Sequence, residues 1–168
     1  KGDYSLVNPN DHVNCGQSTN DVIPTAGKMT SLRLLKRLKK ELLRLHKAFC
    51  DKAAEFDHVI KMGRTQMQDA VPIRLGQEFQ AYSVAVMRDI NRMDKAMDEM
   101  RTLNMGGTAI GTGINADEAY LERIVPNLVQ VADMDFVQAF DLIDSTQNLD
   151  PFVAVSGAIK ACAVTLSK

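Results

Sequence analysis

The sequence predicts an all-α fold, a bundle of long helices, on three observations. Apolar residues recur at intervals of three and four over long stretches, which is the periodicity of amphipathic helices. Aromatic residues are sparse (5%) and methionine is frequent (nine residues), a composition that suits packed helices better than a β-sandwich. No stretch shows the alternation of apolar and polar residues that competes with this pattern. With 168 residues, the chain is long enough for one domain with a real core.

A first long helix is predicted from Thr25 to Phe56. The preceding segment, residues 1–24, is rich in Asn, Asp, Gly, Ser and Pro and is predicted to be a loop. The apolar stripe of the helix comprises Met29, Leu32, Leu35, Leu38, Leu42, Leu45, Phe49, Ala53 and Phe56. A continuous helix over this range would be roughly 45 Å long at about 1.5 Å per residue. This length exceeds that of the usual globular helix and indicates a bundle.

A second long helix is predicted after residues 61–70, a polar and turn-prone segment. Pro72 is predicted to lie in its first turn, where the missing N–H has no intrahelical partner to lose. Its stripe comprises Leu75, Phe79, Tyr82, Val86, Ile90, Met93, Met97 and Met100. Four glycines between residues 106 and 113 then interrupt the pattern and predict a tight backbone turn.

Two further helices are predicted in the last third of the chain. One extends from Asp117 to Val131, with a break expected at Pro126. The other extends from Pro151 to Lys168 and reaches the last residue without a Gly or Pro stop, so we expect it to continue beyond this sequence. Because long helices bury their apolar faces poorly on their own, we expect the protein to be oligomeric.

Charge and composition argue against several classes of function for this chain. The formal net charge of -1 gives no general electrostatic reason to bind nucleic acid or an anionic membrane. No apolar run approaches the roughly 20 residues of a transmembrane helix, and no secretory signal is visible. Cys15, Cys50 and Cys162 are odd in number and lack metal-ligand spacing, which favours free thiols in the cytoplasm. We expect a cytoplasmic protein with no metal, cofactor, nucleic-acid or membrane partner.

Ser18, Thr19 and Asn20 form the first polar segment with chemical potential. They lie ahead of a predicted helix, where backbone N–H groups and the helix dipole favour an anion. The same residue types are also preferred helix caps and turn formers, so local evidence alone favours a structural role.

The second polar segment contains Arg64, Thr65 and Gln66, which offer a cation and neutral hydrogen-bonding groups for a carboxylate. Its structural alternative is a polar turn between helices in which Asp69 caps the second helix. The glycine-rich third segment, residues 106–113, lacks the Gly-Lys-Ser/Thr ending of a phosphate-binding loop. A tight turn is therefore the favoured interpretation of that segment.

Four motifs in this order, separated by long helices, resemble the class II fumarase and aspartase family. They occupy residues 8–14 (NPNDHVN), 16–21 (GQSTND), 63–70 (GRTQMQDA) and 106–113 (GGTAIGTG). The resemblance covers essentially the whole chain. It implies a homotetramer built around a central helical bundle, in which several subunits share each active site. It also implies that residues 1–168 are part of the central helical domain of a longer lyase.

The resemblance implies a small dicarboxylate substrate and an anti elimination that releases fumarate. Ser18, Thr19 and Asn20 match the family's substrate-binding segment, and Thr65 and Gln66 match a pair that reaches the substrate from another subunit. Thr19 and Gln66 are typical of the aspartase branch, whose substrate is L-aspartate. Donors such as Ser18, Thr19, Asn20 and Thr65 would stabilise the enediolate-like intermediate.

The resemblance places the catalytic base outside this sequence. Neutral Gln66 cannot serve as a general base at ordinary pH. In the family, the base is a serine on a glycine-rich loop that would follow Lys168, so no catalytic residue is assigned here and we expect the 168-residue chain alone to be inactive. Two alternatives stay open: a class II fumarate hydratase acting on malate and fumarate, and a non-catalytic helical oligomerisation module.

Overall fold

The computed structural model describes residues 2–167, which divide into two compact units. One unit contains residues 2–33 and 97–154, and the other contains residues 34–96 and 155–167. The predicted all-α class is confirmed, because long helices dominate both units. Within the described residues, no helix combines the length and apolar character needed to cross a membrane.

The longest helix, α1 (Thr19–Glu55), starts six residues before the predicted Thr25, so the loop prediction was wrong for residues 19–24. The loop prediction was also wrong for a short π-helix, Pro9–Val13. Pro24 lies inside α1 and has no N–H to donate to the carbonyl of Asn20, four residues earlier. The side-chain Nδ2 of Asn104 donates to that carbonyl instead, at 2.9 Å. A contact 84 residues away in the sequence therefore allows the helix to begin before its proline.

A β-hairpin separates α1 from the next helix, and the sequence did not predict it. Strand β1 (Ile60–Thr65) pairs antiparallel with β2 (Gln68–Arg74), with a bulge between Met62 and Arg64. Pro72 lies opposite Met62 in this sheet, so its assignment to a helical first turn was wrong. A two-stranded sheet tolerates proline because each strand has an unpaired edge toward which its missing N–H can face.

The hairpin leads directly into α2 (Leu75–Glu99) and is fastened to the surrounding helices. The N–H of Leu75 donates to the carbonyl of Val59 at 2.8 Å. Lys61 of β1 forms an ion pair with Glu78 of α2 at 2.6 Å. The interpretation of Asp69 as the cap of this helix was also wrong, since Asp69 lies in β2 and pairs with Arg64.

The predicted apolar stripes supply much of the buried core. The most deeply buried of their side chains are Leu32, Leu35, Leu42, Val86, Ile90, Met93, Met97 and Met100. Tyr82, which the stripe of α2 also included, is 44% exposed, because the stripe is wider than the face that packs. Periodicity identified the inner faces of both long helices.

The segment after α2 contains small elements of the first unit. Strands β3 (Thr102–Leu103) and β4 (Val137–Gln138) form a short parallel pair. Helix α3 (Glu118–Ala132) is continuous through Pro126, so the expected break there was wrong. The six-residue helix α4 (Leu142–Gln147) was not predicted, because one turn and a half is too short to show periodicity. Helix α5 (Asp150–Leu166) matches the last predicted helix, whose predicted end at Lys168 lies outside the described residues.

Candidate functional site

The candidate site begins at the N-terminus of α1, where Ser18 and Asp21 form a reciprocal capping box. The Oγ of Ser18 accepts from the N–H of Asn20 at 3.2 Å. The N–H of Ser18 in turn donates to Oδ1 of Asp21 at 3.0 Å. Such a box fixes the first helical turn and uses donors that have no intrahelical partner. The structural role as a helix cap is therefore confirmed for Ser18. The side chain of Thr19 is exposed and takes no part in the capping box.

Asp21 connects this helix start to the glycine-rich loop, which comprises residues 104–113. Its Oδ2 accepts from the backbone N–H of Gly106 at 3.2 Å and from that of Thr108 at 3.1 Å. The side chain is fully buried, at 0% exposure. Hydrogen bonds to a charged group contribute about 1.5–3 kcal/mol each, and together with the positive helix N-terminus they offset the cost of burying the carboxylate.

The loop adopts a backbone that few residues tolerate. Its φ angle is positive at Gly106 (93°), Thr108 (54°), Gly111 (90°) and Gly113 (67°). Gly111 also has no space for a side chain, since an added Cβ would lie 2.4 Å from the Cα of Ile143. The predicted tight turn is confirmed, and close packing explains why glycine occupies this position.

Asn20 is held by the same loop at two points. Its Nδ2 donates to the carbonyl of Ala109 at 2.6 Å, and its own carbonyl accepts from Asn104. A carbonyl can only accept, so the side-chain nitrogen of Asn20 must face Ala109. This assignment leaves the acceptor, Oδ1, on the opposite edge of the amide group.

Tyr120 of α3 adds a neutral wall to this region. Its ring would lie 3.4 Å from a Cβ added at Gly16, and its hydroxyl oxygen is buried without a hydrogen-bond partner in the described part of the chain. Burial raises the pKa of Tyr120, and the neighbouring carboxylate of Asp21 raises it further. The phenol therefore stays protonated at neutral pH.

The other predicted residues, Thr65 and Gln66, lie at the tip of the hairpin in the second unit. Both are exposed, and Gln66 and Met67 form the two-residue turn between the paired Thr65 and Gln68. Positive φ angles at Gln66 (51°) and Met67 (63°) match the turn that suits the twist of a two-residue hairpin. The turn therefore leaves Thr65 and Gln66 exposed to solvent at the tip of the hairpin.

The structure thus brings Ser18, Thr19 and Asn20 together on one helix start and places Thr65 and Gln66 in the other unit. Sequence reasoning did not identify Asp21 and Asn104 as contributors. The available clue was the run of glycines that follows Asn104, because glycines often mark a place where another part of the chain approaches the backbone closely. The spacing of the residues did not show that this other part is the start of α1.

Comparison with known proteins defines the class of this chain. The model of the family described as Lyase matches residues 2–168, and the chain belongs to this family. It is 50% identical over its whole length to an aspartate ammonia-lyase of Bacillus subtilis (strain 168). It spans 35% of the length of that relative, about a third of the relative's sequence.

Solved structures agree with the fold. A fumarate lyase from Brucella melitensis, solved with bound cobalt, superposes with a TM-score of 0.94 at 44% identity; the match covers 99% of this chain and 36% of that one. A class II fumarase from Schistosoma mansoni superposes with a TM-score of 0.88 at 32% identity, covering 95% of this chain and 37% of that one. The expected fumarase and aspartase type of helical fold is confirmed by these likenesses.

Proposed function

We propose that this chain is the central part of a longer lyase that eliminates ammonia from L-aspartate to give fumarate. The observation that carries the proposal is the 50% identity to an aspartate ammonia-lyase, which extends over every residue of the chain. Identity to the class II fumarase of Schistosoma mansoni is lower, at 32%. Thr19 and Gln66, the positions where the two branches differ, carry the aspartase residues.

In this proposal, Ser18, Thr19 and Asn20 bind one end of the dicarboxylate. The dipole of α1 favours an anion at this end of the helix, while the N–H groups of Ser18 and Asn20 are already used by the capping box. The hydroxyl of exposed Thr19 supplies a neutral donor that adds no charge. Donors fixed in advance by a capping box would lose little free energy to reorganisation as negative charge develops in the transition state.

The orientation of Asn20 supports a role toward the leaving group. One N–H of its Nδ2 is engaged by Ala109, so Oδ1 is the free acceptor of this side chain that can meet a ligand. An acceptor oxygen suits the ammonium group of aspartate, which can only donate. The same oxygen would also accept from the hydroxyl of malate, so this contact alone does not select between the two substrates.

Thr65 and Gln66 are proposed to meet the substrate that is bound to another subunit of a homotetramer. Exposure of the hairpin tip supports this role, since an arm of this kind can reach into a neighbouring molecule. Helix α5 also exposes large apolar side chains, including Val153 (69%), Val164 (59%) and Leu166 (51%). Apolar surface of this kind is typical of a face that an oligomer covers.

The reaction itself requires a base that removes the proton next to a carboxylate. Gln66 has no basic atom at neutral pH, and we propose that the base is a serine in sequence that follows Lys168. The substrate-binding residues then hold the enediolate-like intermediate while ammonia leaves. On this proposal, the 168-residue chain alone forms no fumarate.

The test uses the full-length protein, assayed for fumarate formation from L-aspartate and, separately, from L-malate, which is the hydration product of fumarate. We expect activity on aspartate alone. Activity on malate alone would replace the proposal with a fumarate hydratase, and no activity on either, in a protein with native helix content, would favour an oligomerisation module.

The hairpin contribution is tested with Gln66→Ala. Loss of one hydrogen bond to a charged substrate should lower kcat/KM for aspartate about 10-fold or more. Gln80→Ala, which removes an exposed glutamine from α2, is the matched control and should change kcat/KM less than about 2-fold. Equal effects of the two substitutions would remove Gln66 from the site.

A further inference from the structure

We propose that Asp21 is a positioning residue, whose buried carboxylate holds the glycine-rich loop on the start of α1 and thereby orients Asn20. The inference rests on the proposed function, because it assigns Asn20 to substrate binding. It assigns a role to Asp21, which does not touch the substrate in this proposal. It also assigns a role to the loop of residues 104–113, which the sequence predicted only as a turn.

The carboxylate of Asp21 joins two segments that are far apart in the sequence. One oxygen accepts from Ser18 of the capping box, and the other accepts from Gly106 and Thr108 of the loop. Within residues 2–167, Asp21 takes part in no ion pair. Its negative charge is therefore met by three backbone N–H donors and the helix N-terminus.

The loop passes this constraint on to Asn20. The carbonyl of Ala109, one residue beyond the bond from Thr108, accepts from Nδ2 of Asn20 at 2.6 Å. At the other end of the loop, Asn104 donates to the carbonyl of Asn20 that Pro24 leaves free. Asp21 thus fixes the loop at Gly106 and Thr108. On either side of these residues, Asn104 bonds to the main chain of Asn20 and Ala109 bonds to its side chain.

A carboxylate is the group that this position requires. An asparagine of the same shape has one acceptor oxygen, and its NH₂ group would face at least one of the three N–H donors. Glutamate keeps the charge and is a usual capping-box residue, but its extra methylene displaces the oxygen from the loop. Asp21→Asn removes the charge and one acceptor, whereas Asp21→Glu keeps the charge and the capping-box acceptor but weakens the hydrogen bonds to the loop. Comparison of the two variants therefore distinguishes the effect of the charge and the cap from the effect of the bonds to the loop.

The experiment compares Asp21→Asn and Asp21→Glu with wild type in the full-length protein. We expect native helix content and oligomeric state, a KM for L-aspartate raised about 10- to 100-fold, and faster hydrogen exchange at the amides of residues 106–109. A purely structural defect would instead lower the fraction of folded enzyme, and with it kcat at unchanged KM. Asp117→Asn is the matched control, since Asp117 also accepts two backbone N–H groups, at the exposed start of α3.

A double-mutant cycle decides whether Asp21 acts through Asn20. In an Asn20→Ala background, replacement of Asp21 should have little further effect on KM, because the group it orients is gone. Additive effects, or unchanged exchange in residues 106–109, would overturn the inference. If wild type has no activity on aspartate, the proposed function fails, whereas the exchange rates of the loop still decide whether Asp21 holds it. If Asp21→Asn does not fold, Asp21→Glu serves for both measurements.

Discussion

Among the regions that hold residues in the left-handed backbone region, the glycine-rich loop and the hairpin tip do so by different means. In the glycine-rich loop, three of the four residues with positive φ are glycines, and the loop is buried from Asn104 to Thr108. At the hairpin tip, the two residues with positive φ are Gln66 and Met67, and the side chain of Met67 is 93% exposed.

The difference shows which force fixes each conformation. Packing fixes the loop, because backbone atoms of Ile143 fill the space beside Gly111. Strand pairing fixes the tip, because the turn between Thr65 and Gln68 has positive φ at both positions, as in the type I′ turn that suits the twist of a hairpin. Left-handed angles in non-glycine residues cost of order 1 kcal/mol each, and such strain often accompanies a functional surface. The loop is held by the residues packed around it, whereas the tip is held by its own strand pairing and stays exposed.

The largest effect is expected from Gly111→Ala. The new Cβ would lie 2.4 Å from the Cα of Ile143, and φ is 90° at this position. Backbone strain and overpacking together should lower the free energy of unfolding by about 3 kcal/mol. Chemical denaturation followed by circular dichroism measures the change.

The neighbouring substitution Thr112→Ala is the control for Gly111→Ala, because Thr112 is exposed in the same loop. Its effect should stay within about 0.5 kcal/mol. If Gly111→Ala is equally mild, the loop is not fixed by packing and the comparison with the hairpin tip fails.

A smaller effect of opposite sign is expected from Met67→Gly. Glycine relieves the left-handed strain at φ 63° but gains freedom in the unfolded chain, so the net change should be a stabilisation of no more than about 1 kcal/mol. Denaturation of the full-length protein gives this number. A loss of more than about 1 kcal/mol would mean that the side chain of Met67 is buried against another subunit in the assembled protein.

The smallest effect concerns the ion pair that ties the hairpin to α2. Hydrogen bonds from Lys61 and then from Tyr82 lower the pKa of Glu78 below its usual 4.5. A lowered pKa means that the pair stabilises the fold above about pH 4.5 and that this contribution disappears as pH falls through the lower value in the folded state. Both side chains are about one-third exposed, so the contribution should stay below about 1 kcal/mol.

Glu78→Gln should therefore flatten the acid limb of the stability profile, measured as the unfolding midpoint between pH 3 and pH 6 (roughly the range set by the carboxyl pKa). Lys61→Met should flatten it by a similar amount, since it removes the first cause of the shift. Independent effects of the two substitutions would show that the pair does not connect the hairpin to α2.

Most of the helical architecture was predictable, because local spacing carries it. Intervals of three and four located α1, α2 and α5, and the buried residues Leu32, Val86 and Met93 lie on the predicted stripes. The four motifs placed the candidate binding residues Ser18, Thr19, Asn20, Thr65 and Gln66, whose role stays a prediction. These features depend on residues close together in the chain.

What the sequence alone determined, then, is helix class, the inner faces of the long helices, the glycine turn and the family. Tertiary structure decided the features that depend on distant partners. Pro72 fits a helix start as well as an edge strand, and only pairing with Met62 selected the strand. From the sequence, Asp21 could equally be an ordinary helix cap. Only the tertiary structure shows that it accepts hydrogen bonds from the N–H groups of Gly106 and Thr108. Local periodicity depends on residues a few positions apart and carries no information about a hydrogen bond between residues more than 80 positions apart. Such bonds are therefore identified only from the tertiary structure.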